Sequence, residues 1–476
     1  MQRLFDFWKI MHRIIPHSWF GNYPRLLWLV TVVLSLVMVL PISDLWADEK
    51  KSAGEEAREF RELVYQLRHR IEVLEQQKAE QDDAKQDTKA EALESTHLTP
   101  ITSKSQKVPL PADKVLPVPS DDKIQLSFGG QIVAEAVSNW PGNKQGSEFD
   151  PLPADVPTGS GGENGQFNLS AKETRLWLKT SSMTKLGLFK ALLEFDFKGG
   201  NGLERVNNSH NPRMRHAYAQ LGNLAIGQTE STFSNPLTWP DTIPDPIAYL
   251  SNRQAMVRWT QMLDEDFELQ IALENPETTL TDAAGDRILP ADDRVPDLTM
   301  KSLWYTDRGF LALSGLLREI RSDGAVVGGV EDSKVGGGLH FSGKLRTTGI
   351  DNVRFNLAAG NAIGRYASSN SFNDGSIDAN GLIELHMMYL TSFSYQHWMN
   401  DHWRIAATGS HIQVDNDLNR VPDTIVKHSQ SYHLRLSWLP LLSTIFSVEY
   451  THVRSKLESG LEGEQNRLHF RARYKF

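Results

Sequence analysis

From Leu468 to Phe476 every second residue is apolar or small: Leu468, Phe470, Ala472, Tyr474 and Phe476. The residues between them are Arg467, His469, Arg471, Arg473 and Lys475. Side chains alternate faces along an extended chain, so this segment predicts a strand with one greasy and one cationic face. The device recurs upstream. FKALLEFDFK sets Phe189, Ala191, Leu193, Phe195 and Phe197 against Lys190, Leu192, Glu194, Asp196 and Lys198. FELQIALE sets Phe267, Leu269, Ile271 and Leu273 against Glu268, Gln270, Ala272 and Glu274. In SYHLRLSWL, Tyr432, Leu434, Leu436 and Trp438 share a face, with Arg435 on the other. About sixteen such segments lie between Lys123 and Phe476, the pattern of an antiparallel sheet.

The connections decide the topology. MTKLG, LGN, LDED, TDRG, MNDH and LPLL are tight joins, and LRTTGID is only slightly longer. Between them fall long ones, at 138–171, 199–212, 230–253, 276–296, 321–333, 364–381, 414–427 and 458–464. Strict short–long alternation with an even strand count predicts an all-β, transmembrane antiparallel β-barrel over 123–476. A soluble sandwich or propeller would alternate too, but has no reason to gather every long loop at one end. The apolar face then meets lipid and the polar face lines water, in a closed cylinder that leaves no strand edge unpaired. Tyr432, Trp438, Trp403, Tyr474, Phe476 and Trp177 stand near strand ends, where aromatic girdles belong, although Trp177 also fits the inward register.

The first part of the chain is different. Arg25, the apolar run Leu26–Leu40, Pro41 and a small-residue end at Ala47 read as a secretory signal over 1–47. The run is short for a spanning helix, which needs about 20 residues, although a retained inner-membrane anchor is the rival. The stretch before Arg25 is long for such a signal and points to a start further in. In 48–86, Ala53, Ala57, Phe60, Val64, Leu67, Ile71 and Leu74 follow 4-3 spacing, which predicts a periplasmic coiled coil rather than a lone amphipathic helix. Residues 87–122, ending KVLPVPS, read as a Pro-rich linker.

Composition sharpens this picture. Hydrophobic residues are 40%, which suits a thin, spread apolar face rather than a thick core. A net charge of −9 argues against nucleic acid as partner. With no cysteine, disulfides and thiolate metal sites cannot form. The histidines show no paired metal spacing, and NDGSIDANG lacks the closing Glu of a calcium loop, so no cofactor is expected. No Ser-His-Asp grouping has a nucleophile-turn context, so an enzyme on a barrel, such as a lipase, is the outside reading.

About sixteen strands enclose an aqueous bore, whose selectivity depends on the charges at its narrowest part. The expected inward cations are Arg175, Lys179, Lys190, Arg213, Arg215, Arg258, Arg435, Arg467, Arg471, Arg473 and Lys475. The pore and anion-binding candidates among them are Arg175, Arg213, Arg215, Arg258, Arg435, Arg471 and Arg473. In RMRHAYAQLGNLAIG the small residues Ala217, Ala219, Ala225 and Gly227 are expected on the same face as Arg213 and Arg215, leaving room for a folded loop. The third long loop, with four prolines and Phe233, Trp239, Asp241, Asp245 and Tyr249, is the candidate constriction loop. Asp241 and Asp245 opposite Arg213, Arg215 and Arg258 would set a field across the pore. The bland alternative is that the arginines pair with Glu194, Asp196, Glu268 and Glu274 on neighbouring strands.

KIQLSFGGQI, ETRLWLKTSS, FKALLEFDF and above all RHAYAQLGNLAIGQTESTF resemble the DcaP-like outer-membrane porins, over the barrel and the preceding helical segment. The resemblance implies a homotrimer of sixteen-stranded barrels in outer-membrane lipid, a periplasmic coiled coil, and uptake of small anions such as dicarboxylates. Arg213 and Arg215 fall on that family's basic strand, and Gly227, Gln228, Thr229, Ser231, Thr232 and Phe233 on its GQT-x-STF motif. Glu230 inside the motif is a departure that would weaken anion preference. The expectation is a passive outer-membrane porin for small anionic solutes. Its rivals are a sugar or general-diffusion pore and a purely structural tether through the coiled coil.

Overall fold

Period-two patterning becomes a closed meander of sixteen antiparallel strands. The computed structural model describes residues 114–115, 124–142, 152–159, 165–200, 207–208, 210–290 and 292–476. The expected signal and coiled coil, and all but Lys114–Val115 of the expected linker, lie outside the described residues. Those two residues pair with Phe128 and Ser127, a short extension of the sheet where the sequence reads as linker.

The barrel strands are β1 (Gln125–Trp140), β2 (Gln166–Ser170 and Arg175–Thr184, two lengths of one strand), β3 (Gly187–Asp196) and β4 (Arg213–Leu221). Then come β5 (Leu224–Glu230), β6 (Arg253–Met262), β7 (Phe267–Glu274), β8 (Asp297–Thr306), β9 (Gly309–Ser322) and β10 (Asp332–Arg346). The circuit ends with β11 (Asn352–Gly360), β12 (Met387–Trp398), β13 (Trp403–Asp415), β14 (Val426–Leu441), β15 (Thr444–Leu457) and β16 (Glu462–Lys475). Each pairs with the next, and β16 closes on β1 with Lys475 opposite Gln131. Closure satisfies every strand edge, the condition for crossing hydrocarbon. The short turns share one rim and the long loops the other.

Two glycines make the closing seam possible. Phe476 exchanges backbone hydrogen bonds with Gly130, and a Cβ on Gly130 would come 2.5 Å from the Phe476 ring. A Cβ on Gly129 would meet the Trp177 ring at 2.7 Å. Trp177 is therefore not part of a girdle. It faces the lumen, 9% exposed, with the Lys179 and Lys475 ammoniums 5.5 and 5.8 Å from its ring. Trp403, Trp438 and Tyr474 are exposed on the outer face, and Trp403 stacks on Trp438.

The small-residue expectation fails for Ala217 and Ala219 at one bulge, while Ala225, buried opposite Arg258, stays on the inner face. Glu194 pairs with His216 and Phe195 with Met214, so Arg215 is the extra residue. Arg213, Arg215 and His216 then all serve the inner face, and the alternation beyond them is inverted. Ala217 and Ala219 pair with Leu193 and Ala191 on the lipid side, while Tyr218 turns inward opposite Leu192. Room for a folded loop comes instead from the other side of the barrel. There many of the buried inward residues of β12–β15 are small and hydroxylic, among them Ser392, Ser394, Thr408, Ser410, Ser431, Ser437 and Ser447.

Two long loops fold into that space, the third (231–252, L3) and the sixth (361–386, L6). Phe233, Ile247 and Leu250 of L3 pack with Ile363, Tyr366 and Phe372 of L6 and with Leu316, Met388, Leu390 and Ile412 of the wall. Each such buried side chain contributes roughly 1.5–3 kcal/mol, enough to hold the loops inside. L6 also shares a small sheet with the fourth long loop, where Gly375–Ile377 runs parallel to Leu280–Thr281.

Candidate functional site

L3 crosses the bore by spending its backbone groups on the far wall. The Ile247 and Ala248 N–H groups donate to Ser431 (3.1 Å) and Ser410 (3.3 Å), and the Ile243 N–H to Glu449 (2.5 Å). Asn235 donates to Ser342, Thr238 to Asn356, and Lys301 to the Ser234 carbonyl. The small hydroxyls of β13 and β14 thus receive loop N–H groups that would otherwise be buried without partners. At the entrance, Gly227 is left-handed with φ +129, where any Cβ would lie 2.3 Å from the Ala217 carbonyl. The Thr232 N–H donates to Glu274 (2.7 Å), and Phe233 is fully buried against Tyr366. Phe233 is an anchor of the loop core, away from the bore's open part.

What L3 and L6 leave open lies against β2–β6 and β16. A cavity of about 250 Å³ is lined by Arg175, Lys198, Arg213, Arg215, Arg253 and Arg471, with Glu173 and Asp245. Its other side is Trp239, Pro240, Ile243, Pro246 and Tyr249 of L3. A second cavity, of about 470 Å³, reaches toward the short-turn rim and is lined by His216, Arg258, Glu268, Lys301 and Tyr305. Arg175, Arg215 and Trp239 line both, so the two spaces meet at these residues.

The wall arginines carry partners. Arg213 grips Asp196 through two bonds of 3.0 and 2.6 Å, and Arg215 bonds Glu194 (2.8 Å) and Asp196 (2.9 Å). Arg175 reaches Glu173 (3.1 Å), and Arg471 reaches Glu135 (2.5 Å). Arg258 donates to the Glu230 carbonyl, and the Glu230 carboxylate pairs with Arg253 at 2.5 Å. The cross-strand pairing that the sequence offered as a bland alternative is therefore present for Arg213 and Arg215. The acid lies deeper in the Arg213 pair, whereas Glu194 (16%) is more exposed than Arg215 (7%). The Asp196 side chain is fully buried while that of Arg213 is 38% exposed, so the bore sees guanidinium.

Asp241 and Asp245 separate. Asp245 is exposed in the first cavity with Arg213 and Arg215. Asp241 turns to the opposite wall and accepts from Arg435 (2.8 Å), Arg404 (2.9 Å) and Gln396 (2.6 Å). Burial opposes its ionisation, but Arg435 and Arg404 outweigh that and hold the carboxyl below the usual range. Arg435 is thereby committed to L3, and Arg473, on the inner face of β16 two positions beyond Arg471, lines neither cavity. Sequence reasoning missed Arg404 and Arg354, which grips the Trp239 carbonyl at 2.6 Å, and also Arg253 and Lys198. Alternation finds the first two, since each is a neighbour of an outward aromatic, Trp403 or Phe355.

The family model described as DcaP outer membrane protein matches residues 47–476. The outer membrane channel DcaP of Acinetobacter baumannii has a similar structure, with TM-score 0.65 and 19% identity over 74% of this chain and 97% of that one. An anion-selective porin from Comamonas acidovorans aligns with TM-score 0.49 and 8% identity over 74% of this chain and 100% of that one. No curated protein matches the chain by sequence.

Proposed function

The chain belongs to the DcaP outer membrane protein family, and from that premise we propose that it is a passive porin for small anionic solutes. An outer-membrane channel is what the family and the barrel fold describe. The finer reading rests on one observation: L3 and L6 fill the bore against β9 and β12–β15, and the space that remains runs along the arginine wall. A solute moving between the two cavities passes Arg175, Arg215 and Trp239. Guanidinium forks suit carboxylates, pairing them through two parallel bonds. Because each fork is already shared with a wall carboxylate, its hold on a solute is weak enough to permit release, as conduction requires. Assembly as a homotrimer, with residues 48–86 as a periplasmic coiled coil, is part of the same proposal; the trimer rests on the family resemblance and the coiled coil on the heptad spacing.

The test is current through the purified full chain in planar bilayers under a salt gradient, followed by liposome swelling with small dicarboxylates against disaccharides. Anion-directed reversal potentials and faster dicarboxylate entry support the proposal. Equal entry of disaccharides would favour the sugar pore, for which Trp239 and Tyr249 are the aromatic surfaces at hand.

A further inference from the structure

We infer that the constriction is built from two loops, and that Ser369 of L6 is a solute-lining residue; this rests on the porin reading above. Ser369 lines the first cavity together with Arg175, Arg213, Arg215 and Arg471. It is presented there by three successive left-handed residues, Ser368, Ser369 and Asn370, with φ of 48, 57 and 60. Non-glycine residues adopt that conformation at a cost, so surrounding contacts must impose it.

They do. The Ser368 N–H donates to the Tyr249 carbonyl (2.9 Å) and the Ser251 N–H to the Tyr366 carbonyl (3.0 Å), flanking a bridge between Leu250 and Ala367. The return limb of L3 is thus tied to L6 by one antiparallel bridge. The Tyr249 hydroxyl bonds the Ser369 hydroxyl, and Arg287 donates to the Asn370 carbonyl at 2.6 Å. Beyond this bridge, L6 is fastened to the wall through Arg318, whose guanidinium, fully buried, bonds Asp374 (3.1 Å) and Asp297 (3.2 Å). The Tyr366 hydroxyl donates to Asp297 at 2.7 Å. L6 therefore holds L3 in place while offering the cavity a neutral hydroxyl beside the guanidiniums. A hydroxyl both donates and accepts, which suits a carboxylate carrying a second hydrogen-bonding oxygen.

The chain has no cysteine, so Ser369→Cys gives a single reactive thiol in the full-length protein. Single-channel current is read before and after a sulfonate-bearing methanethiosulfonate, with labelling checked by mass. The expected result is a fall in conductance of about twofold or more and a reversal potential moved toward cations. Leu418→Cys, in the exposed seventh loop, should label without either change. A Ser369→Cys channel that labels fully with unaltered current, or that cannot be labelled while open, overturns the inference. If Arg213→Ala with Arg215→Ala still moves the reversal potential in that case, the porin reading survives alone. If the unmodified chain carries no current, both fall together.

Discussion

Asp241, at the turn of the third loop, sits 2.8 Å from Arg435 on the far side of the barrel. That contact, shared with Arg404, makes the loop a strut between two walls.

Asp241→Asn should loosen the strut and leave Arg404 and Arg435 without their carboxylate. Open-channel noise should rise and anion selectivity increase, since the variant removes negative charge from a cluster of arginines. Unchanged noise in single-channel records would show that the backbone bonds to Ser410, Ser431 and Glu449 suffice.

The same carboxyl gives a pH dependence with a definite sign. Its folded pKa is depressed, so its contribution is present above the unfolded value and is lost as pH falls through the folded one. The Asp241 contribution to loop anchoring should therefore be constant from neutrality down to about pH 4, the unperturbed carboxylate range, and weaken only below it. Bilayer recordings across that range check this, with Asp241→Asn as the reference that lacks this carboxyl.

Arg215→Ala leaves Asp196 with Arg213 alone and Glu194 with only Arg175, 4.0 Å away. Breaking a buried pair from one side costs about 3–5 kcal/mol, and the freed negative charge should turn reversal potentials toward cations. Joining Arg215→Ala to Glu194→Gln should restore stability and recover only part of the selectivity. Urea midpoints and reversal potentials separate the two effects.

Arg318→Ala should cost about 3–5 kcal/mol by stranding Asp297 and Asp374, and Arg318→Met with both acids changed to Asn should cost much less. Resistance of the barrel to heat in detergent gels reports the difference.

Gly130→Val should impair closure, because the new Cβ would meet both the Phe476 ring at 2.5 Å and the Arg175 carbonyl at 2.8 Å. Loss of folded, heat-modifiable protein is the expected outcome, and a Phe476→Ala background should relieve only the first clash.

Strand count, loop rims and facing were legible because alternation is a local property: Leu468 and Arg467 reveal opposite faces to anyone counting by two. The bulge at Arg215 was not, since an added residue leaves no mark on a sequence until its partner strand is known. That single insertion sent Ala217 and Ala219 to the lipid side. Asp241 and Asp245 likewise look equivalent in TWPDTIPDP, and only the path of L3 sends them to different walls. The serines of β12–β15 carried the missing signal. A run such as TSFSYQ or LSWL places small hydroxyls on the inner face, and small inner side chains mark where something else must fit.

The bulged strand has a further consequence. Because Asp196 is fully buried beneath the part-exposed Arg213, that stretch of wall acts as a double layer, negative below and positive above, rather than as a bare positive plate. Such a layer cancels itself beyond a few ångströms, so distant anions are hardly drawn in and only those in touch with the surface feel it. Discrimination between ions should then endure in concentrated salt, where long-range steering would already have been extinguished.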